Sequence, residues 1–243
     1  MLVVPMKKVF FYLLLFCIFL FADCKKQQLS PANNKLEVIN LGVPGNTARD
    51  LLARIKDVTN LKPDLVIIMI GTNDAGSGGK IYRSFRSNLD RIINKIQEAN
   101  AKVILLTPPP CLPSSKFYGN REKLDLICST ISAVSKDKSC EVVDIHSYIS
   151  SVLKQTDSVS IYNPDGIHPN KTGYSDISNF LLSYFRQHPL NRGFRIVCFG
   201  DSITYGYEVD GQGTSNGDTY PADLLRGIYY SLMSDHKFSE TQN

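Results

Sequence analysis

The chain has no Cys-x-x-Cys pair, no internal repeat, no block of like charge and no apolar run of membrane-spanning length. Each absence removes a class of protein. Without cysteines paired at metal spacing, a zinc site lacks its usual framework, so no metal is expected. Lys and Arg are scattered and not interleaved with aromatics, so a formal charge of +4 leaves no nucleic-acid footprint. Two glycine-rich stretches fail as phosphate loops. Gly79-Lys80 would need a glycine where Asp74 stands, and Ile81 replaces the required Ser/Thr. Gly211-Gln212-Gly213 has its third glycine at Gly217, one residue late, and follows no strand.

The longest apolar run, Val9 to Ala22, has 14 residues, whereas a spanning helix needs about 20. Preceded by Lys7 and Lys8, it has the form of a secretory signal peptide, with Met1 or Met6 as the start. It ends in Phe21-Ala22-Asp23-Cys24, which resembles a bacterial lipoprotein box with Cys24 as the candidate lipidation residue. Asp23 departs from the small residue usual at that point. Lipidation, ordinary signal cleavage nearby and an uncleaved anchor all place the domain outside the cytoplasm, in the periplasm or at the cell envelope or surface. The expected organisation is a signal at 1–24, a polar tether at 25–34, a domain at 35–233 and a loose tail at 234–243. An exported location permits a disulfide among Cys111, Cys128 and Cys140. Cys198, inside an apolar run, reads as a buried small hydrophobe.

At 243 residues, with 43% hydrophobic and 21% charged residues, the chain can bury one adequate core. Short β-type runs occur at 35–40, 64–70, 102–107, 140–145 and 195–199, most of them continuously apolar, as in parallel strands covered on both faces. Helical patterns lie between them. One begins after Thr47, a good N-cap. Another sets Ile81, Phe85, Leu89, Ile92, Ile93 and Ile96 along one stripe. Further helices are expected over 121–134, 170–185 and 221–233, with 75–80 and 210–218 as loops. The alternation predicts an α/β fold with a doubly wound parallel sheet.

In such sheets ligands bind beyond the carboxyl ends of the strands. Four segments fall there or beside it: Gly200-Asp201-Ser202-Ile203-Thr204, the 40–47 stretch around Pro44-Gly45, Gly71-Thr72-Asn73-Asp74, and Asp165-Gly166-Ile167-His168. A serine nucleophile needs a base, and the base needs an orienting acid. Among four histidines only His168 has an acid three residues earlier, at Asp165, on a turn. His146 closes a strand, His188 sits beside Pro189 and His236 lies in a polar tail. Gly45 can bring a backbone N–H close to a ligand, and Asn73 can supply a side-chain amide. Each alone could equally be an ordinary turn residue.

Together the four segments resemble the conserved blocks of the SGNH, or GDSL-type, hydrolase superfamily, over nearly all the chain beyond the signal. The resemblance implies the flavodoxin-like SGNH hydrolase fold with five parallel strands. It also implies Ser202 as nucleophile, His168 as base and Asp165 as orienting acid, with Gly45, Asn73 and the Ser202 amide as the oxyanion hole. No metal or cofactor is implied. The α/β-hydrolase elbow G-x-S-x-G is not met, since Thr204 stands two residues after Ser202.

In the family the serine block comes first; here it comes last, so the chain resembles a circular permutant. The implied strand order is 36–40, 195–199, 64–70, 102–107, 140–145, with old ends joined through 186–193. The implied activity is hydrolysis of carboxylic esters through an acyl-serine. An acylated lipid or small acyl ester is the first expectation for substrate. The alternatives are carbohydrate O-acetyl esters, or a non-catalytic surface lipoprotein binding a ligand in the same cleft. Phe117 and Tyr118, and the 208–220 loop, are expected to overhang the site. The oligomeric state is left open.

Overall fold

The computed structural model describes residues 35–77, 79–190 and 193–240. The signal-like run, Cys24 and the tether lie outside the described residues. Among the described residues, five strands form one sheet: β1 (Glu37–Gly42), β2 (Leu65–Met69), β3 (Lys102–Leu106), β4 (Glu141–Val143) and β5 (Arg195–Gly200). Their spatial order is β1-β5-β2-β3-β4, and every pairing is parallel. This is the order expected from the sequence, with β5 between the first two strands.

The apolar strands serve two cores because successive side chains leave opposite faces of a sheet. Val66, Ile68, Val103, Leu105, Val197 and Phe199 face one side. There they meet α1 (Ala48–Ala53), α2 (Ile55–Thr59), α5 (Phe85–Glu98) and α6 (Arg121–Asp137), whose apolar stripes contain Leu51, Leu89, Ile92, Ile93 and Ile131. Leu65, Ile67, Met69, Ile104, Leu106, Ile196 and Cys198 face the other side. That face is covered by α7 (Ile145–Val152), α8 (Lys171–Gln187), α9 (Ser202–Tyr205) and α10 (Tyr220–Glu240). Two short helices, α3 (Thr72–Gly76) and α4 (Gly79–Arg83), follow β2.

The structure departs from the sequence reading in four places. The run read as a strand to residue 145 stops at Val143. Asp144 then caps α7 by accepting the Ser147 N–H at 3.1 Å, and Ile145 and Ile149 bury one face of that helix. The 75–80 stretch, read as a loop, is helical through Gly76 and again from Gly79, where α4 begins. Helix α10 runs to Glu240, into the stretch read as a loose tail. The 208–220 loop does not chiefly overhang the serine. Its 214–215 segment folds along the open edge of β1, where Asn40 Nδ2 donates to Thr214 O at 3.0 Å and Ser215 Oγ donates to Val38 O. That contact occupies polar groups which an edge strand otherwise presents to other chains.

Cys198 is fully buried in the core. Cys111, Cys128 and Cys140 are free thiols, and burial pushes them up to about 11, 12 and 11.

Candidate active site

The serine is set by a tight strand-to-helix turn. β5 ends at Gly200, and Asp201 caps the single turn of α9 by accepting the Ile203 N–H at 2.9 Å. Gly206, with φ +82°, ends that turn. The turn lies so close to the sheet that side chains are excluded beneath it. A Cβ on Gly42 would sit 2.1 Å from the Tyr205 backbone N, and one on Gly200 would sit 2.3 Å from Met69 O. Ser202 therefore stands above the carboxyl end of an interior strand.

His168 arrives on the loop before α8. Its Nε2 lies 2.8 Å from Ser202 Oγ and its Nδ1 lies 2.5 Å from Asp165 Oδ2. Since an ionised carboxylate only accepts, Nδ1 carries the proton and Nε2 is left to accept from the serine hydroxyl. The other Asp165 oxygen accepts the N–H of Ile167 at 2.9 Å and of His168 at 3.0 Å. Burial works to raise this carboxyl, but the two N–H donors and the imidazole outweigh it and hold it below its ordinary value.

The loop is braced from outside. Asn163 N–H donates to His168 O at 2.9 Å, Leu112 N–H to Gly166 O at 2.8 Å, and the Tyr162 hydroxyl to Pro110 O at 2.6 Å. The proline-rich segment after β3 thus supports the histidine. His146 is engaged elsewhere: its Nδ1 lies 3.0 Å from Pro108 O. His188 stacks on Tyr184 at 4.2 Å. It borders a 750 Å³ cavity with Lys102 and Phe194, at the amino ends of the strands.

Gly45 occupies the turn after β1 with φ +80°, a left-handed conformation that favours glycine. Asn73 opens toward the same cleft from α3. Its Nδ2 donates to Asn46 O at 3.0 Å. That acceptor fixes which way the carboxamide points and leaves the second N–H for a ligand. Gly45, Asn73, Asp165, His168 and Ser202 line one cleft of about 590 Å³. Phe117 forms one wall as expected, and Gly76 makes room for it, since a Cβ there would lie 2.1 Å from the ring. Tyr118 is not part of the lining; the Arg121 guanidinium covers its ring at 5.1 Å. From the 208–220 loop only Glu208 reaches the cleft, beside Tyr207, whose ring packs on His168 at 4.6 Å.

Sequence reasoning missed two acids below the cleft. Asp74 is fully buried and accepts the Ala48 N–H at 3.1 Å, tying the glycine turn to α3. Asp201 is 1% exposed, and its Oδ2 has no hydrogen-bond partner among the described residues. Burial pushes Asp74 up to about 7, with Asp50 adding to the effect. Burial likewise pushes Asp201 up to about 7, with Asp74 adding. The folded chain thus holds both protons more tightly than the unfolded chain, whose carboxyls titrate near pH 4. Their contribution to stability is fully present below about pH 4 and is lost as pH rises through about 7. Asp50, Asp144 and Asp165 have the opposite sign, but their contribution is lost only as pH falls below about 4. The melting temperature is therefore expected to fall between about pH 5 and about pH 8, with Asp201→Asn flattening the fall. Parallel melting curves for wild type and variant across that range would remove Asp201 from the explanation.

A family model described as the GDSL-like Lipase/Acylhydrolase family matches residues 23–175, more than half of the chain. An acetylxylan esterase of Xylanibacter ruminicola is 28% identical over 148 residues, covering 53% of this chain and 30% of that protein. An acetylxylan esterase of Geobacillus stearothermophilus is 27% identical over 164 residues, 60% of this chain and 71% of that one. The chain therefore spans less than a third of the first relative and under three quarters of the second. The crystal structure of Axe2, an acetylxylan esterase from Geobacillus stearothermophilus, aligns with a TM-score of 0.50 at 24% identity, covering 60% of this chain and 69% of that one. At that identity the likeness speaks for the fold alone.

Proposed function

The chain belongs to the GDSL-like lipase/acylhydrolase family of ester hydrolases, and from that premise we propose that it removes O-acetyl groups from carbohydrates through an acyl-serine. The observation that carries this reading is the continuous hydrogen-bonded line from Ser202 Oγ through His168 to Asp165, opening into a cleft that also holds Gly45 and Asn73.

In this reading His168 Nε2 takes the Ser202 proton as Oγ attacks the acetyl carbonyl. The N–H groups of Gly45 and Ser202 and the free N–H of Asn73 receive the oxyanion. His168 then gives that proton to the departing sugar oxygen, which leaves as the free hydroxyl, and water enters to repeat the sequence on the acetyl-enzyme. Asp165 holds the imidazole in the required tautomer and stabilises its cation.

An acylated lipid was the first expectation from sequence, with carbohydrate esters as the alternative. Similarity to two acetylxylan esterases supports reversing that order. So does the lining of the cleft, where Lys116, Glu208, Ser114 and Tyr207 place polar groups around the serine. For a series of p-nitrophenyl esters run beside acetylated xylo-oligosaccharide, kcat/KM is expected to be at least about 10²-fold higher for acetate than for octanoate. A preference for long chains would return the lipid reading. Labelling of Ser202 by a fluorophosphonate separates an enzyme from a ligand-binding lipoprotein, which would remain unlabelled.

Circular permutation and export belong to the same proposal. The permutation is supported by β5 lying parallel between β1 and β2, and by a family match that ends at residue 175, before the serine block. Export is supported by Lys7 and Lys8 before the Val9–Ala22 run, and mass spectrometry of the mature N-terminus tests whether Cys24 carries lipid.

A further inference from the structure

Arg54 belongs to none of the four motif segments, yet its side chain joins two of them directly and a third through Asn46. It stands at the break between α1 and α2, half-buried, with φ −106° and ψ 22°. Nη2 donates to Leu41 O at 2.8 Å and to Gly200 O at 3.1 Å, at the carboxyl ends of β1 and β5. Nε donates to Asn46 Oδ1 at 2.7 Å, and the guanidinium plane lies 4.4 Å over the Phe199 ring. Among the described residues no carboxylate lies within ion-pair distance of it. All three hydrogen-bond acceptors are neutral oxygens, and the carboxylates of Asp50 and Asp57 act on the group only through space, so its direct bonds serve geometry.

Those three acceptors bear directly on the cleft. Gly200 is two residues before Ser202. Asn46 follows Gly45, and its carbonyl is the acceptor that orients Asn73. Gly200 O also accepts the Val43 N–H at 3.1 Å, so the serine strand and the start of the glycine turn share one anchor. An oxyanion hole works only when its donors are placed before charge develops, and displacements of about 1 Å are costly. We infer that Arg54 is the positioning residue that sets the Gly45 turn, Asn73 and Ser202 in register; the inference rests on the esterase reading. A planar fork with donors in fixed directions can do this, whereas a lysine ammonium cannot reach both strand ends and Asn46 from one rigid plane.

The test uses Arg54→Met, Arg54→Lys and Asn46→Ala, with kcat, KM and the melting temperature measured on p-nitrophenyl acetate. Arg54→Met is expected to lower kcat about 10²-fold with KM changed less than about three-fold, and Arg54→Lys to recover little of the loss. Asn46→Ala, which leaves the strand-end bonds intact, is expected to lower kcat about 10-fold. Combined with Asn73→Ala, Arg54→Met should cost much less than the product of the single losses, because both act on one set of donors. Wild-type kcat in folded Arg54→Met, or strictly multiplicative losses, overturns the inference. Should Arg54→Met fail to fold, Asn46→Ala decides, and an unchanged kcat there overturns it. A wild-type chain that neither hydrolyses the ester nor labels at Ser202 defeats the esterase reading and this inference together. An active wild type with an unimpaired variant defeats this inference alone.

Discussion

Ser202→Ala is expected to lower kcat on acetyl esters at least about 10³-fold while shifting the melting temperature by no more than a few degrees. The two halves of that expectation have separate causes. In the proposed mechanism the hydroxyl is the atom through which the acetyl group passes, and neither Gly45 nor Asn73 can replace it. Structurally it contributes one hydrogen bond, to His168 at 2.8 Å, in the lining of the cleft. The turn beneath is held by Asp201, Gly200 and Gly206, which the substitution leaves alone. His168→Ala should match the loss, and the double variant should be little worse than either single one, because the pair acts as a unit. Full activity in Ser202→Ala would falsify the assignment of the nucleophile.

Asn73→Ala carries the second largest effect: about 10² to 10³ in kcat with little change in KM. The carboxamide is held by Asn46 O at 3.0 Å, so its free N–H is oriented before substrate arrives. A donor fixed in this way strengthens its bond as the carbonyl oxygen becomes an anion, which is why the loss belongs in kcat. Asn73→Asp should be worse still, since a carboxylate would face the developing charge. Should KM rise instead while kcat stays constant, Asn73 binds ground state and transition state alike and is a substrate contact. Steady-state kinetics on the folded variants separates the two outcomes.

How much of this could be read in advance differs by element. The β2 run is uniformly apolar, the β3 and β5 runs are apolar after a first basic residue, and the α5 stripe repeats with helical period, so layer architecture followed from one-dimensional pattern. Asp165 and His168 were legible as a pair because they are three residues apart on one turn. α7 was not. A short apolar run gives the same signal in strand and helix, and only the hydrogen bond from Ser147 N–H to Asp144 showed that Asp144 is a cap. The clamp of Ser215 on β1 was likewise hidden, since one polar loop looks much like another until an edge strand lies beside it.

By itself the sequence determined which residues could carry the chemistry: a serine after a strand, a histidine with an acid on its own turn, a glycine turn and an asparagine beyond a buried strand. Composition and local spacing suffice there, because chemical type is a property of the residue and short-range geometry is a property of the turn. Only the tertiary structure decided what holds them together. Arg54 reaches Gly200 across 146 positions of chain, Asp74 fixes Ala48, and Oδ2 of Asp201 lies buried with no partner among the described residues. The Arg54 and Asp74 contacts pair side chains with backbone groups of unrelated segments. They follow no periodicity and exist only once β5 has been placed between β1 and β2.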